Sequence, residues 1–340
     1  MLRAKNRERN VFARGTRLAL AAALVVAADC AQAAEDACTS LTPAAMGGPT
    51  ATGGDNRIAL RWLSTSNYEL IFRDKVYLLD AYFLQGPRAR PTGIVPSETK
   101  NVDAIFIGHA HFDHMSDAVP VAEKTKARVY GAKITVETAY KLGLPQGQGT
   151  SVSDGQTLTF PGMTVDVGLA EHSTLSRAVL DGLRKLYEVS AGAATPDQQS
   201  AEKTILAKGT FAPEVIKEGT MAYAFTFDTG FKMVWLDSAG PVTEGVRALA
   251  QKLGPVDLAI IAYQGQPVAQ VQVPVTLELV KQFKPRIFLP AHHDQIFGLF
   301  LDLGVEPLFE AIREALPGTQ TIAPLHRQGL CFDISKAGGK

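Results

Sequence analysis

The sequence predicts an α/β fold, and three observations lead to it. Short apolar runs rich in branched residues alternate with segments of helical periodicity. The links between them are short and turn-rich, which argues for strands and helices packed in layers. A length of 340 residues with near-average composition suits one large α/β domain or two small ones. No repeat at a solenoid period interrupts this pattern.

The chain opens with a segment unlike the rest. Arg3, Lys5, Arg7, Arg9, Arg14 and Arg17 precede an apolar run, LALAAALVVAA at 18–28, and then Ala31-Gln32-Ala33. A basic stretch, a short apolar core and an A-x-A site predict a secretory signal peptide over residues 1–33. The apolar core is too short for an ordinary membrane span, although an uncut anchor is the competing reading. Cleavage after Ala33 predicts a periplasmic or secreted protein with no stable membrane span. It also removes Cys30 and leaves Cys38 and Cys331, one near each end of the mature chain. An oxidising compartment would allow those two to bridge; two unpaired thiols are the alternative.

Residues 34–55 are rich in Ala, Thr, Gly and Pro and read as an extended, weakly structured arm. The main domain is expected over 56–340. Residues 56–170 alternate strands, turns and at least two helices, and residues 102–108 (VDAIFIG) read as a buried strand. Ser116 or Asp117 looks like a helix cap, with Pro120 tolerable in the first turn. Residues 143–149 form a turn-rich loop, and 163–169 form another strand. Leu175, Val179, Leu183, Leu186 and Tyr187 follow a helical period. A loop over 191–199, a helix over 201–208 and a third helical piece at Pro213 complete a helical section, 175–219. That section reads as a wall or lid over a site, or as a plain surface hairpin. Beyond it, 223–227 and 231–236 predict a hairpin turning at Asp228-Thr229-Gly230. A helix over 242–253, a strand over 256–263, a helix starting at Pro274 and a strand over 286–290 follow.

The densest chemistry lies in His109-Ala110-His111-Phe112-Asp113-His114, directly after strand 102–108. Side chains two apart on an extended segment share a face, so His109 and His111 can meet one cation. Asp113 and His114 follow as the chain turns toward a helix and can face a second position. Imidazole and carboxylate donors suit zinc, and also iron or manganese. His172, Asp237 and His292 each follow a strand-like run, and strand ends along one sheet edge are where α/β folds place sites. His293 competes with His292 for the last position. Asp80 and Ser238 are candidates to support the ligands, with ordinary strand-end roles as the alternative. Formal net charge is zero, with no basic stripe after the leader, which argues against nucleic acid as a partner.

The H-x-H-x-D-H run resembles the metallo-β-lactamase superfamily, and the resemblance spans residues 56–332. The late Pro290-Ala291-His292 is similar to the branch that includes ascorbate-6-phosphate lactonase and N-acylphosphatidylethanolamine phospholipase D. Ser64-Thr65 depart from that branch, where Gly-His follows Trp-Leu, and Leu236-Asp237 stands where Gly-Asp is usual. The resemblance implies a four-layer αββα fold with a helical insertion at 175–219. It implies two divalent metal ions, zinc first and manganese or iron next. His109, His111 and His172 would hold one, Asp113, His114 and His292 the other, with Asp237 between them. Asp113 would also orient the attacking hydroxide. The implied activity is hydrolysis of an ester or lactone, phosphodiester or lactam bond in a small-molecule or lipid-like substrate. The spacing by itself leaves open a di-iron redox enzyme of the same fold, or a metal-stabilised binding protein without catalysis.

Overall fold

The computed structural model describes residues 36–335, apart from 265–267, 297–298, 301–303 and most positions between 175 and 193. The expected signal peptide and most of the expected helix over 175–187 lie outside the described residues. No helix among the described residues is long and apolar enough to cross a membrane.

Two mixed seven-stranded sheets form the centre. In the first, β1 (Arg57–Ser64), β2 (Asn67–Phe72) and β3 (Lys75–Leu79) make an antiparallel meander. Parallel strands β4 (Ala104–Phe106), β5 (Arg128–Gly131) and β6 (Gly149–Ser151) extend it. The second sheet begins with β7 (Thr157–Phe160), β8 (Met163–Ala170), β9 (Thr220–Phe227) and β10 (Lys232–Leu236), all antiparallel. It continues in parallel through β11 (Leu258–Ala262) and β12 (Ile287–Ala291). A short ribbon, β13 (Gln295–Ile296) with β14 (Leu299–Phe300), follows β12. β15 (Gln320–Thr321) then closes the edge beside β12. The last strand, β16 (Gly329–Asp333), returns to the first sheet beside β1.

Side-chain alternation sets the layers. Ala104 and Phe106 of β4, Tyr223 and Phe225 of β9, and Met233 and Trp235 of β10 point into one core between the sheets. The residues between them point outward. Ile105 and Ile107 join a second core under α2 (Ala118–Thr125) and α3 (Lys133–Lys141). Ala222, Ala224, Val234 and Leu236 join a third. That core lies under α6 (Glu244–Leu253), α7 (Ala269–Phe283) and α8 (Glu306–Ala315). Helix, sheet, sheet, helix is the four-layer order expected. The shorter helices α1 (Phe112–Met115), α4 (Pro196–Leu206) and α5 (Glu214–Lys217) lie in the connections.

Four local expectations need correction. The loop expected over 191–199 holds the start of α4. Thr195 caps it by accepting from Gln198 N, and Gln198 reaches back to complete a capping box. α7 begins at Ala269, not at Pro274, which sits inside the helix. Asp117 precedes α2 without capping it. Its carboxylate instead accepts from the amides of Phe83 (2.7 Å) and Leu84 (2.8 Å), pinning the chain after β3.

The N-terminal arm is the fourth. Over its described part Ala37, Ala44 and Ala45 are fully buried. Arg61 and Glu69 face each other across β1 and β2 as a buried ion pair of 3.2 Å. Arg61 donates to the carbonyls of Ala37 (3.0 Å) and Ser40 (2.5 Å), and Glu69 accepts from the amides of Ala44 (3.0 Å) and Ala45 (2.8 Å). Burial pushes the Glu69 carboxyl up against those donors. The pair would be a costly buried charge without the arm's backbone, so the two need each other. A Cys38–Cys331 disulfide ties the arm to β16 across 293 residues of sequence.

Candidate metal centre

β8, β10 and β12 run in the same direction in the second sheet, and the residues that follow them meet those that follow β4 of the first. His109 follows β4, His172 follows β8, Asp237 follows β10 and His292 follows β12. α1 begins directly after His111 and carries Asp113 and His114 back toward those residues. All seven residues expected as ligands are brought together. Their donor atoms form three overlapping groups, each able to hold one cation. These are His109, His111 and His172; His109, His114 and Asp237; and Asp113, His114 and His292.

The donor geometry is specific. His109 Nε2 and His111 Nδ1 converge to 3.1 Å, and His292 Nε2 lies 3.3 Å from Asp113 Oδ2. His172 Nδ1 is engaged with the Ser173 carbonyl at 2.6 Å, which leaves Nε2 to face the cluster. Asp237 Oδ2 meets His109 Nδ1 at 2.6 Å and His114 Nδ1 at 3.2 Å. Its other oxygen, Oδ1, is buried with no partner among the described residues, and so is His292 Nδ1. A buried orphan carboxylate oxygen is costly unless something positive meets it, so this donor set fits a bound cation.

The protonation states of three candidate histidines agree, whereas His114 holds a proton that must leave before its ring can ligate a cation. Burial pushes His109 and His111 down to about 3 and His172 to about 4, so all three are neutral imidazoles with a lone pair to offer. Burial also works against charge on His114, but Asp113, Asp80 and Asp237 outweigh it and hold the imidazole well above its usual range. Burial would raise Asp113 and Asp237. The surrounding histidines overcome it and hold both carboxyls below the ordinary carboxylate range.

Support comes from residues next to the ligands. Asp80 Oδ2 accepts from His114 Nδ1 at 2.6 Å and from Ser66 Oγ at 2.7 Å, and Oδ1 accepts from Gly108 N at 3.0 Å. Burial pushes this carboxyl up to about 7, with His114 opposing and Asp237 adding to the rise. Ser238 Oγ accepts from Ser173 N at 3.0 Å and fixes the segment after His172. Gly108 is required by contact. A Cβ there would lie 1.9 Å from the Asp237 carboxyl carbon.

Ser64 and Thr65, the departure from the branch pattern, are fully buried and do not line the cavity described below. They hold β12's end instead. Thr65 O accepts from His292 N at 2.8 Å, and Asp294 accepts from Ser64 Oγ (2.6 Å) and Thr65 N (2.9 Å). Thr65 (φ 47°), Asp80 (φ 62°) and His292 (φ 62°) are all left-handed, a cluster of backbone strain at the ligand edge. His293 stacks on Trp62 at 4.4 Å and stays outside the donor groups, which selects His292 of the two candidates.

Residues 76–293, well over half of the chain, match a family model described as the beta-lactamase superfamily domain. The chain belongs to the metallo-β-lactamase superfamily. It is 38% identical over 92 residues to a UPF0173 metal-dependent hydrolase of Myxococcus xanthus, covering 27% of this chain and 31% of that relative. The chain therefore spans under a third of that relative's length in the match. A UPF0173 metal-dependent hydrolase of Anaeromyxobacter sp. is 26% identical over 243 residues, covering 72% of this chain and 75% of the relative. In architecture the chain is similar to Igni18, a metallo hydrolase from Ignicoccus hospitalis. The TM-score is 0.56 at 13% identity, covering 81% of this chain and 98% of the other.

In this metallo-β-lactamase superfamily member the donors open into a cavity of about 440 Å³. Phe112, Phe211, Ile216, Ala239 and Ala262 give it apolar walls. Phe211 and Ile216 belong to the helical insertion, so the end of that segment is a wall of the cavity. It sits close because Gly209 allows it: a Cβ there would lie 2.3 Å from Phe112 N. Thr210 N then donates to Ala110 O at 2.8 Å, Ile216 O accepts from His172 N at 2.9 Å, and Phe211 lies 5.1 Å from the His111 ring. Sequence reasoning missed Ser66, Gly108, Phe211, Gln264 and Gln272. Gln264 follows β11 at the same sheet edge as the ligands, and that shared position was the available signal.

Proposed function

We propose that this superfamily member is an exported hydrolase that works through a two-metal centre. The overlap of the three donor groups carries the reading. His109 belongs to two groups, His114 belongs to two, and Asp237 stands between them. Such a ladder suits two adjacent cations sharing Asp237. His109, His111 and His172 would hold one, and Asp113, His114 and His292 the other. Zinc suits this imidazole-rich set, with manganese or iron as alternatives. The cations would supply Lewis-acid polarisation of the scissile group and acidify water. Asp113, on a one-turn helix and hydrogen-bonding distance from His292, is placed to orient the attacking water. Asp80 fixes the His114 ring and Ser173 the His172 ring, so each imidazole presents its other nitrogen inward. Apolar walls exclude bulk water from the reacting bond.

The substrate class in this reading is a small molecule with a carboxylic ester or lactone. Lactam and phosphodiester bonds belong in the same assay panel. The Cys38–Cys331 bridge supports export, because a disulfide persists in an oxidising compartment. The test is hydrolysis of that panel by purified protein. Chelation should abolish it, added zinc or manganese should restore it, and His111→Ala should remain inactive in all conditions. Full turnover by rigorously metal-free protein would overturn the reading. Amino-terminal sequencing of the exported protein should begin at Ala34.

A further inference from the structure

The cavity wall beyond the ligands holds two neutral amides among apolar side chains. Gln264 follows β11, and its Oε1 is buried without a hydrogen-bond partner among the described residues. Gln272 sits in the first turns of α7, is 2% exposed, and also lines the cavity. Both share that cavity with Asp113, His114 and His292. A buried amide oxygen with nothing to accept from costs about 1–3 kcal/mol. Leucine at either position would occupy similar volume without that cost. Among the described residues none meets the Gln264 oxygen, and Phe112, Phe211, Ile216, Ala239 and Ala262 of the same cavity offer no side-chain donor. Glutamine offers both a donor and an acceptor, and it carries no charge. An anionic group placed there would meet no full positive charge from these two side chains, so its desolvation would go uncompensated. A neutral amide, carbonyl or hydroxyl would be satisfied.

We infer that Gln264 and Gln272 form a recognition subsite for an uncharged hydrogen-bonding group, carried by a substrate whose remaining surface is apolar. The inference rests on the proposed hydrolytic reading for its placement next to a scissile bond. Under it the reacting bond lies at the donor cluster, the apolar stretch packs along Phe112 and Phe211, and the polar end reaches the two amides. Specificity arises because a substrate lacking the polar group leaves the buried Gln264 amide oxygen unpaired.

Three matched esters test this on zinc-loaded protein. They are para-nitrophenyl hexanoate, the para-nitrophenyl ester of adipamic acid, and the mono-para-nitrophenyl ester of adipic acid. They differ only in ending in methyl, carboxamide or carboxylate. The expected kcat/KM is highest for the carboxamide, by about tenfold over methyl, as one or two neutral hydrogen bonds allow. Gln264→Leu and Gln272→Leu should each lose that preference, so that the carboxamide and methyl esters react at similar kcat/KM in the variants, with metal content retained. Equal rates on the three esters, or an unchanged preference in both variants, would overturn the subsite. Calorimetric titration with adipamide and with hexanamide separates the two claims, since it needs no turnover. Tighter binding of adipamide that both variants abolish supports the subsite even if no ester is hydrolysed, in which case only the hydrolytic reading fails. Hydrolysis with equal binding of the two amides overturns the subsite alone.

Discussion

Gly108→Ala adds one carbon at the most crowded point of the donor cluster. The new Cβ would meet the Asp237 carboxyl carbon at 1.9 Å and its two oxygens at 2.0 and 2.3 Å. Ordinary carbon contacts begin near 3.4 Å, so the carboxylate must retreat by roughly 1.5 Å. Gly108 itself is not left-handed, so the backbone accepts alanine and the effect is steric. A retreat of that size breaks the 2.6 Å contact to His109 and the 3.2 Å contact to His114. Overpacking a tight interior costs about 1–3 kcal/mol in stability. The functional loss should be larger, because a displaced shared ligand weakens metal binding by at least about 10–100-fold. The assay is metal content per chain by plasma mass spectrometry at limiting zinc, beside hydrolysis and thermal unfolding. The variant should fold, bind substoichiometric metal and lose activity by about a hundredfold or more. Full metal content with unchanged turnover would refute the packing argument.

The other predictions concern the supports. Asp80→Asn keeps the shape of the group that holds His114 but removes its charge, and should weaken zinc affinity by about 10–100-fold in a competition titration with a chromophoric chelator. Opening the Cys38–Cys331 bridge by Cys38→Ser with Cys331→Ser should lower unfolding stability by roughly 3–5 kcal/mol in urea, whereas free thiols in the unreduced protein would contradict the bridge. Burial, with Arg90 nearby, holds His326 down to about 4. Stability from this group is therefore present above the unfolded value of 6.5 and lost as pH falls toward 4. His326→Gln should flatten that acid limb in urea titrations across the window, and an unchanged limb would remove His326 from it. Thr195→Ala breaks the capping box of α4 and should cost about 1 kcal/mol locally, read as faster amide exchange confined to that helix.

Strands and helices were legible in the sequence because they follow short local rules, whereas the four-layer order and the full set of candidate ligands came from the family resemblance. Short apolar runs marked β4, β8, β10 and β12, and a candidate ligand follows the end of each. What sequence could not supply depends on partners far away in the chain. Arg61 and Glu69 read as ordinary strand residues until the arm's carbonyls and amides are seen around them. The arm's composition suggested a loose segment because its order comes from that distant pair. Asp117 had the look of a cap, yet its carboxylate finds better donors at Phe83 and Leu84. Ser64-Thr65 stood out as a departure from the branch pattern, and their place beneath His292 shows a backbone role that spacing does not encode. The start of α4 is different. Thr195-Pro196-Asp197-Gln198 was a readable capping signal, hidden by the loop-like alanines and glycine before it.

The central claim is a pair of cations sharing Asp237, and anomalous diffraction from zinc-loaded crystals tests it most directly. Two peaks roughly 3.5–4 Å apart are expected, as in two-metal sites generally. One peak should be ringed by His109, His111 and His172, and the other by Asp113, His114 and His292, with Asp237 reaching both. A single peak in fully loaded crystals, or metal bound away from these residues, would contradict it.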